Sequence, residues 1–204
     1  MRTTREPCFS YLLCMMLSVY MSHYTFSQDF SNRGKDFWVG HMGHIDGTGS
    51  NFKLYISSTV NTSGTVSVPL QGWSTTFTIT ANTFAIISIP STVTYVGCSD
   101  CIEQRGIHIV ANDDVAAYAH IYASARSDAT LLLPTTALGK EYYATCFTQS
   151  GGHKSEFLIV APEDSTLVQI TPTANTLGGN LANVPFTVNL QQGEIYQVQS
   201  NTDL

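Results

Sequence analysis

The chain contains the same short motif twice. Glycine, lysine, an acid and two aromatic residues stand at residues 34–38 (Gly-Lys-Asp-Phe-Trp) and again at residues 139–143 (Gly-Lys-Glu-Tyr-Tyr). Four matching segments follow each copy in the same order: residues 54–57, 65–68, 77–79 and 86–89 correspond to 158–161, 167–170, 186–188 and 195–198. Ordered matches of this kind indicate a tandem repeat of about 105 residues, each repeat being one β unit.

Alternating apolar and polar residues predict strands within each unit. In residues 52–58, Phe52, Leu54 and Ile56 share one face, while Lys53, Tyr55 and Ser57 share the other, which is the pattern of a half-buried strand. No segment longer than about ten residues has a helical period. The predicted fold class is therefore all-β, with about a dozen short strands in tandem β-sandwich-like units.

Turn residues predict two hairpins in the first unit. Asn82 and Thr83 separate residues 75–81 from residues 84–90. Residues 112–114 (Asn-Asp-Asp) separate residues 106–110 from residues 115–122. Polar turn residues between two apolar strands are typical of a hairpin.

The repeat and the N-terminus divide the chain into a signal peptide at residues 1–27, a first β unit at 28–134 and a second β unit at 135–204. The second unit has no counterpart of residues 96–134, so it is predicted to be incomplete, as in a truncated gene product. Strands that would pair with the missing hairpin are expected to be open edges, whose unpaired N–H and C=O groups invite homo-association.

The N-terminus has the features of a secretory signal. Arg2 and Arg5 precede an apolar run at residues 9–21, and Thr25 and Ser27 are small, which predicts cleavage after Ser27. A membrane anchor is the alternative, but the run has about 13 residues and crossing a bilayer takes about 20. The mature chain is therefore expected to be secreted or displayed at the cell surface, with no membrane span.

The charge of the mature chain argues against a nucleic-acid partner. Without Arg2, Arg5 and Glu6 it carries seven basic and fourteen acidic side chains, so no basic patch is available for phosphates. Only 12% of all residues are charged, against about 25% in ordinary domains. Threonine and serine take the exposed strand positions instead, as in extracellular β proteins.

Three cysteines follow the predicted cleavage site: Cys98, Cys101 and Cys146. In an oxidising compartment, Cys98 and Cys101 are expected to form a disulfide that staples a polar loop. Pairing of Cys146 with either of them is the alternative. The C-x-x-C does not open a helix after a strand, and no second C-x-x-C is present to complete a zinc site. The thiol left over, expected to be Cys146, should lie buried in a strand.

The glycine-rich segment at residues 41–51 contains His41, His44 and Asp46. Its glycines argue against a helix that would align the two histidines, and its acids lack the spacing of a calcium loop. A plain turn is expected, with no metal and no other cofactor.

Tyr118, His120 and Tyr122 fall on one face of a predicted strand. Such a row of rings is a candidate ligand face, because flat aromatic rings pack well on the apolar surfaces of sugars. The alanines at positions 116, 117, 119 and 123 favour the other interpretation, in which the strand packs tightly against a neighbouring sheet and the rings are partly buried.

Residues 31–40 (Ser-Asn-Arg-Gly-Lys-Asp-Phe-Trp-Val-Gly) resemble the opening of the IgGFc-binding protein N-terminal domain. Further blocks with this resemblance lie at residues 106–109, 124–128, 133–135, 138–143, 155–161 and 196–200. The family occurs in large secreted proteins of animal mucus, before von Willebrand type D domains, and in surface proteins of gliding bacteria. The resemblance implies an extracellular binding or adhesive role, with no catalytic residue and no particular ligand.

The expected function is therefore a non-enzymatic module that binds an extracellular protein or glycan. A structural spacer in a larger surface protein is one alternative. The other is a carbohydrate-active enzyme or the accessory domain of one. No Gly-x-Ser-x-Gly turn surrounds any serine, and the two facing carboxylates of a glycosidase are not visible in a sequence.

Overall fold

A computed structural model describes residues 31–146 and 153–201. The predicted signal peptide, with Cys8 and Cys14, lies outside the described residues, and so do residues 147–152 and 202–204. Strands dominate the described part, which confirms the all-β prediction. None of its helices is long and apolar enough to cross a membrane.

The first group of elements runs as far as Leu131. Its strands and one short helix are β1 (Gly34–Val39), β2 (Asn51–Ser58), β3 (Thr62–Val68), β4 (Trp73–Ile79), β5 (Thr83–Ile89), α1 (Ser91–Thr94), β6 (Ile102–Glu103), β7 (Ile107–Ala123) and β8 (Arg126–Leu131). All of these strands except β6 form one nearly closed sheet in the order β4-β3-β7-β2-β5, with β1 and β8 also paired to β7.

β7 belongs to both halves of this sheet. Its first part pairs with β3 as far as Ala111 and with β1 as far as Val115, and its last part, from Ala116 onward, pairs with β2 and β8. The hairpin predicted at residues 112–114 is therefore wrong, because the strand is continuous there. No residue of this segment has the positive φ that a tight hairpin turn requires.

Polar side chains form hydrogen bonds with the backbone N–H and C=O groups of β7 where it passes between the two halves. The hydroxyl of Thr62 accepts a hydrogen bond from Asp113 N at 3.1 Å, and Lys35 Nζ donates to the Asn112 carbonyl at 2.8 Å. Arg33 donates to the Asp114 carbonyl at 3.2 Å. The polar residues that look like a turn in the sequence thus mark the crossing of one long strand.

The hairpin predicted at Asn82 is also wrong in its pairing. The chain does turn there, since Asn82 has φ 62° and its N–H donates to the Ser58 carbonyl at 2.9 Å. However, β4 pairs with β3, and β5 pairs with β2. The turn therefore joins opposite halves of the sheet.

The main core lies between these two halves. The strand alternation predicted for residues 52–58 is confirmed, because Phe52, Leu54 and Ile56 are all buried. The two halves contribute side chains to one cluster, which also contains Phe37, Val66, Val68, Phe77, Ile79, Ile107, Ile109, Val115, Ala117 and Ala119. This single shared core makes the first group sandwich-like.

Four more strands follow residue 153: β9 (Glu156–Val160), β10 (Thr166–Ile170), β11 (Phe186–Leu190) and β12 (Ile195–Gln199). β9 pairs with β12 and β10 with β11, as β2 pairs with β5 and β3 with β4. The register differs, because Leu54 lies opposite Ile87, whereas Leu158 lies opposite Gln197 and not Tyr196, the counterpart of Ile87 in the sequence match. The pairing scheme thus recurs, while the residue-level repeat stays a prediction.

The second copy of the glycine-lysine motif is not a strand. Residues 139–146 are exposed throughout, and the side chain of Tyr143 is 86% exposed. The repeat predicts a strand at residues 142–147. This prediction is wrong as far as residue 146, and residue 147 lies outside the described residues. The first copy forms β1 because β7 lies beside it and the core covers Phe37.

The edges of the second group are only partly open. Counting described residues alone, β9 and β10 each have a strand neighbour on one side, the arrangement predicted for open edges. β12, by contrast, lies between β9 and β6, and Tyr196, Gln197 and Val198 are buried. Because β6 comes from the first group, the two groups form one compact unit that begins at Ser31.

A disulfide loop strengthens this connection. Cys98 and Cys101 are bonded, with their Cα atoms 6.0 Å apart. Between them, Asp100 accepts hydrogen bonds from Gly178 N at 2.9 Å and Asn180 Nδ2 at 2.7 Å. The N–H of Asp100 donates to the Gln197 carbonyl at 2.7 Å. The loop therefore fastens the second group of strands to the first.

The cysteine arrangement predicts a clear result in peptide mapping. Without reduction, Cys98 and Cys101 should be found joined within one tryptic peptide, since no lysine or arginine lies between them. Cys146 is exposed and outside any strand, which corrects the expectation of a buried thiol. It should react with iodoacetamide in the native protein, because reactivity requires access. A bond from Cys146 to either other cysteine would contradict this assignment.

Candidate functional site

The row formed by Tyr118, His120 and Tyr122 faces away from the core. Ala117 and Ala119, which alternate with the rings along β7, are buried, so the rings project from the opposite side of the strand. The alanines pack inward as expected. The rings lie on the outer face of the sheet, where Tyr118 is 43% exposed and His120 and Tyr122 are half-buried.

Three other strands complete this outer face. On β2, Lys53 lies opposite His120 and Tyr55 lies opposite Tyr118. β8 flanks β7 on the other side, and β5 flanks β2. We name the following outward residues of these four strands the tyrosine face: Phe84, Ile86, Ser88, Asn51, Lys53, Tyr55, Tyr118, His120, Tyr122, Ser127, Ala129 and Leu131.

The tyrosine face has an apolar band and a polar band. Ile86, Tyr55, Tyr118 and Leu131 lie side by side across the four strands, with Phe84 at the end of β5. Phe84 is 62% exposed. The next rows along the strands are polar and contain Ser88, Lys53, His120, Asn51, Tyr122 and Ser127. A contiguous exposed apolar patch bordered by polar groups is typical of an interaction site.

Contacts within the face hold its rings in place. The His120 and Tyr122 rings stack with centroids 4.9 Å apart and an angle of 21°. His120 Nε2 and Ser127 Oγ are hydrogen-bonded at 2.6 Å. Lys53 Nζ lies 5.1 Å from the centroid of Tyr122, within the range of a cation–π interaction. Rings that are already ordered lose little side-chain entropy when a ligand binds.

A second ring pair lies on the other half of the sheet. Trp38 and His108 stack with centroids 4.1 Å apart, and His108 Nε2 is 2.8 Å from the Asp36 carboxylate. The backbone of Gly193 lies against the Trp38 ring, so that a Cβ there would be 3.4 Å from it. This partial cover makes the pair a poorer candidate than the tyrosine face.

The glycine-rich segment forms a turn. His41 is fully buried, with Nδ1 3.1 Å from Thr94 Oγ1 and Nε2 3.0 Å from Ser50 Oγ. Burial, and to a lesser extent the neighbouring His44, lowers the pKa of His41 to about 4. His44 instead contacts Asp46. Within residues 31–146 and 153–201, no group of three or more His, Cys, Asp or Glu side chains could hold a metal ion.

A hollow of about 520 Å³ lies at one end of the sheet, where β7 crosses between its halves. Its lining is mostly hydroxyl and amide groups, among them Asn61, Thr80 and Asn112, and its one carboxylate is Asp113. A glycosidase requires two facing carboxylates. The hollow therefore lacks the groups for that reaction.

The fold thus presents an ordered aromatic face on the outside of a sandwich-like β unit. The family described as IgGFc binding protein matches residues 128–204. This part of the chain is similar to that family, which consists of extracellular binding domains and is not a known enzyme family. Searches of curated proteins and of solved structures each found no match. The family match begins within β8. Most residues of the tyrosine face precede it and are assigned to the face by strand pairing alone.

Sequence patterns identified the ring row but missed its neighbours. Lys53, Tyr55 and Ile86 each stand on the polar or exposed side of a predicted strand, yet they are far from Tyr118 in sequence. Only the pairing of β2 with both β5 and β7 brings them together. The alternation of Lys53 and Tyr55 with buried residues was the available signal, but it does not specify which strand lies beside them.

Proposed function

We propose that the chain is a secreted or cell-surface, non-enzymatic binding module that recognises a glycan of a glycoprotein on the tyrosine face. The observation that carries this proposal is the outward row of Tyr118, His120 and Tyr122 on an open sheet face. The family match to residues 128–204 supports an extracellular binding role.

The chemistry of the face suits a sugar. A pyranose ring has an apolar side formed by its C–H groups and a rim of hydroxyls. The rings of Tyr118 and Tyr122 offer flat apolar surfaces with a polar tip, and Ser88, Asn51 and Ser127 offer hydrogen-bond partners in adjacent rows. The stacking of His120 on Tyr122 presents an ordered surface to the sugar.

A glycan array tests this proposal against the two alternatives. The mature chain should bind a defined subset of glycans, whereas a structural spacer should bind none. A panel of chromogenic glycosides should show no turnover, whereas a carbohydrate-active enzyme should release the chromophore.

Single substitutions should place the binding on the tyrosine face. Tyr118→Ala and Tyr122→Ala should each weaken binding of the best array glycan by about tenfold, since losing a stacked ring costs roughly 1 kcal/mol beyond its buried area. Titration calorimetry measures the change. Tyr143→Ala is the matched control, because this ring is 86% exposed and lies outside the face. Affinity that is unchanged in both face variants would contradict the proposed site.

A further inference from the structure

Lys53 stands in the middle of the tyrosine face. It lies on β2 between Ser88 on β5 and His120 on β7. Its ammonium group is 5.1 Å from the centroid of the Tyr122 ring. A ligand that packs on Tyr118 and Tyr122 would therefore lie next to a positive charge.

That charge has no carboxylate partner in the structure's described part. Two arginines are paired with acids, since Arg105 lies 2.9 Å from Glu103 and Arg126 lies 3.3 Å from Asp46, whereas Arg33 and Lys35 donate to backbone carbonyls. Lys53 forms no such pair among residues 31–146 and 153–201, and no residue of the tyrosine face is acidic. The chain as a whole is acidic, with a formal net charge of −6. The tyrosine face is thus a positively charged area on an acidic chain.

Tyr122 does not use the whole hydrogen-bonding capacity of the ammonium. A hydrogen bond with Tyr122 raises the pKa of Lys53 above its ordinary value, so the group is charged at neutral pH. An ammonium has three donors. Donors remain for a ligand.

From this charge complementarity we infer that the tyrosine face takes an acidic glycan, with Lys53 contacting a carboxylate or sulfate of the sugar. The inference rests on the proposed glycan-binding function and adds the ligand's charge to it. The aromatic rings would contact the apolar side of the sugar, and Lys53 would select the anionic substituent. A carboxylate and a sulfate share this chemistry, so the two are separated by experiment.

Two sets of matched probes test the inference. The first contains lactose, 3′-sialyllactose and 3′-sulfolactose, which share one core and differ in the anionic group. The second contains chitotetraose and a hyaluronan tetrasaccharide, which are neutral and acidic. The acidic member of a set should bind about fivefold more tightly than the neutral member, the order expected for one exposed ion pair. The preference should disappear in 1 M salt, where exposed charges are screened.

Lys53→Gln should remove the preference by lowering affinity for the acidic probes to that for the neutral ones. Retained affinity for the neutral probe shows that this variant is folded. Lys140→Gln is the matched control, because Lys140 is an exposed lysine outside the face, and it should leave every affinity unchanged.

The outcomes separate this inference from the function on which it rests. Equal affinity for acidic and neutral probes, or a preference that survives in Lys53→Gln, overturns the acidic specificity and leaves the glycan-binding function standing. Failure to bind any probe in either set overturns both. A tetraglutamate peptide that binds more tightly than every sugar would indicate a protein partner and would likewise overturn both.

Discussion

Replacing Phe37 with alanine should lower the free energy of unfolding by about 3–5 kcal/mol, the cost of emptying a large aromatic site in a packed core. Phe37 is fully buried in β1, opposite Ile109 on β7, and it belongs to the cluster shared by both halves of the sheet. Because the total free energy of unfolding of a domain is only about 5–15 kcal/mol, this substitution would remove a large part of the stability. Urea denaturation measures the loss as a lower midpoint with an unchanged slope.

Phe84→Ala is the matched control for this substitution. It makes the same chemical change in a strand of the same sheet, but Phe84 is 62% exposed. Its cost should stay below about 1 kcal/mol, the range of strand propensity at an exposed position. Equal losses in the two variants would show that the shared core is not where this structure places it.

The free energy of unfolding should fall by about 2 kcal/mol between pH 7 and pH 5 because of His41 alone. Burial lowers the pKa of His41 to about 4 in the folded chain, from 6.5 in an unfolded one. The unfolded chain therefore binds a proton in this interval that the folded chain does not bind. Stability from this group is complete above pH 6.5 and is lost as the pH falls through 4.

Removing the imidazole should flatten this dependence. His41→Gln is expected to be less stable at pH 7, because it disturbs the contacts with Thr94 and Ser50, but nearly constant between pH 7 and pH 5. His120→Gln is the matched control, because it makes the same chemical change and leaves His41 and its contacts in place. Urea denaturation at pH 7, 6 and 5 compares the three proteins. Parallel curves for the wild type and His41→Gln would show that another group is responsible.

The sequence by itself determined properties that depend on residues close together in the chain. Alternation in residues 52–58 predicted which side chains of β2 are buried, because a strand presents successive side chains to opposite faces and only one face meets the core. The same rule placed Tyr118, His120 and Tyr122 together on one side of β7. The spacing of Cys98 and Cys101 predicted their disulfide, since two cysteines so close in an oxidising compartment have few other partners.

Strand pairing was decided only by the tertiary structure. Asn82 and the polar residues 112–114 look alike in the sequence, since both interrupt apolar strands. At Asn82 the chain turns into the opposite half of the sheet, and at residues 112–114 it continues into that half as one strand. Polar turn residues indicate only that the backbone at these positions is accessible and surrounded by polar groups. Whether that backbone reverses depends on the strands available to pair with it.

The same limit applies to the second glycine-lysine motif and to the tyrosine face. Residues 34–39 are a strand because β7 pairs with them, and residues 139–146 are exposed although their sequence is similar. Lys53 became part of the candidate site because β2 lies between β5 and β7. A strand's hydrogen-bonding partners come from distant parts of the chain, so periodicity within one segment cannot specify them. Within a strand, the sequence therefore determined which side chains share a side, and the pairing of the strands decided which of these sides combine into a face.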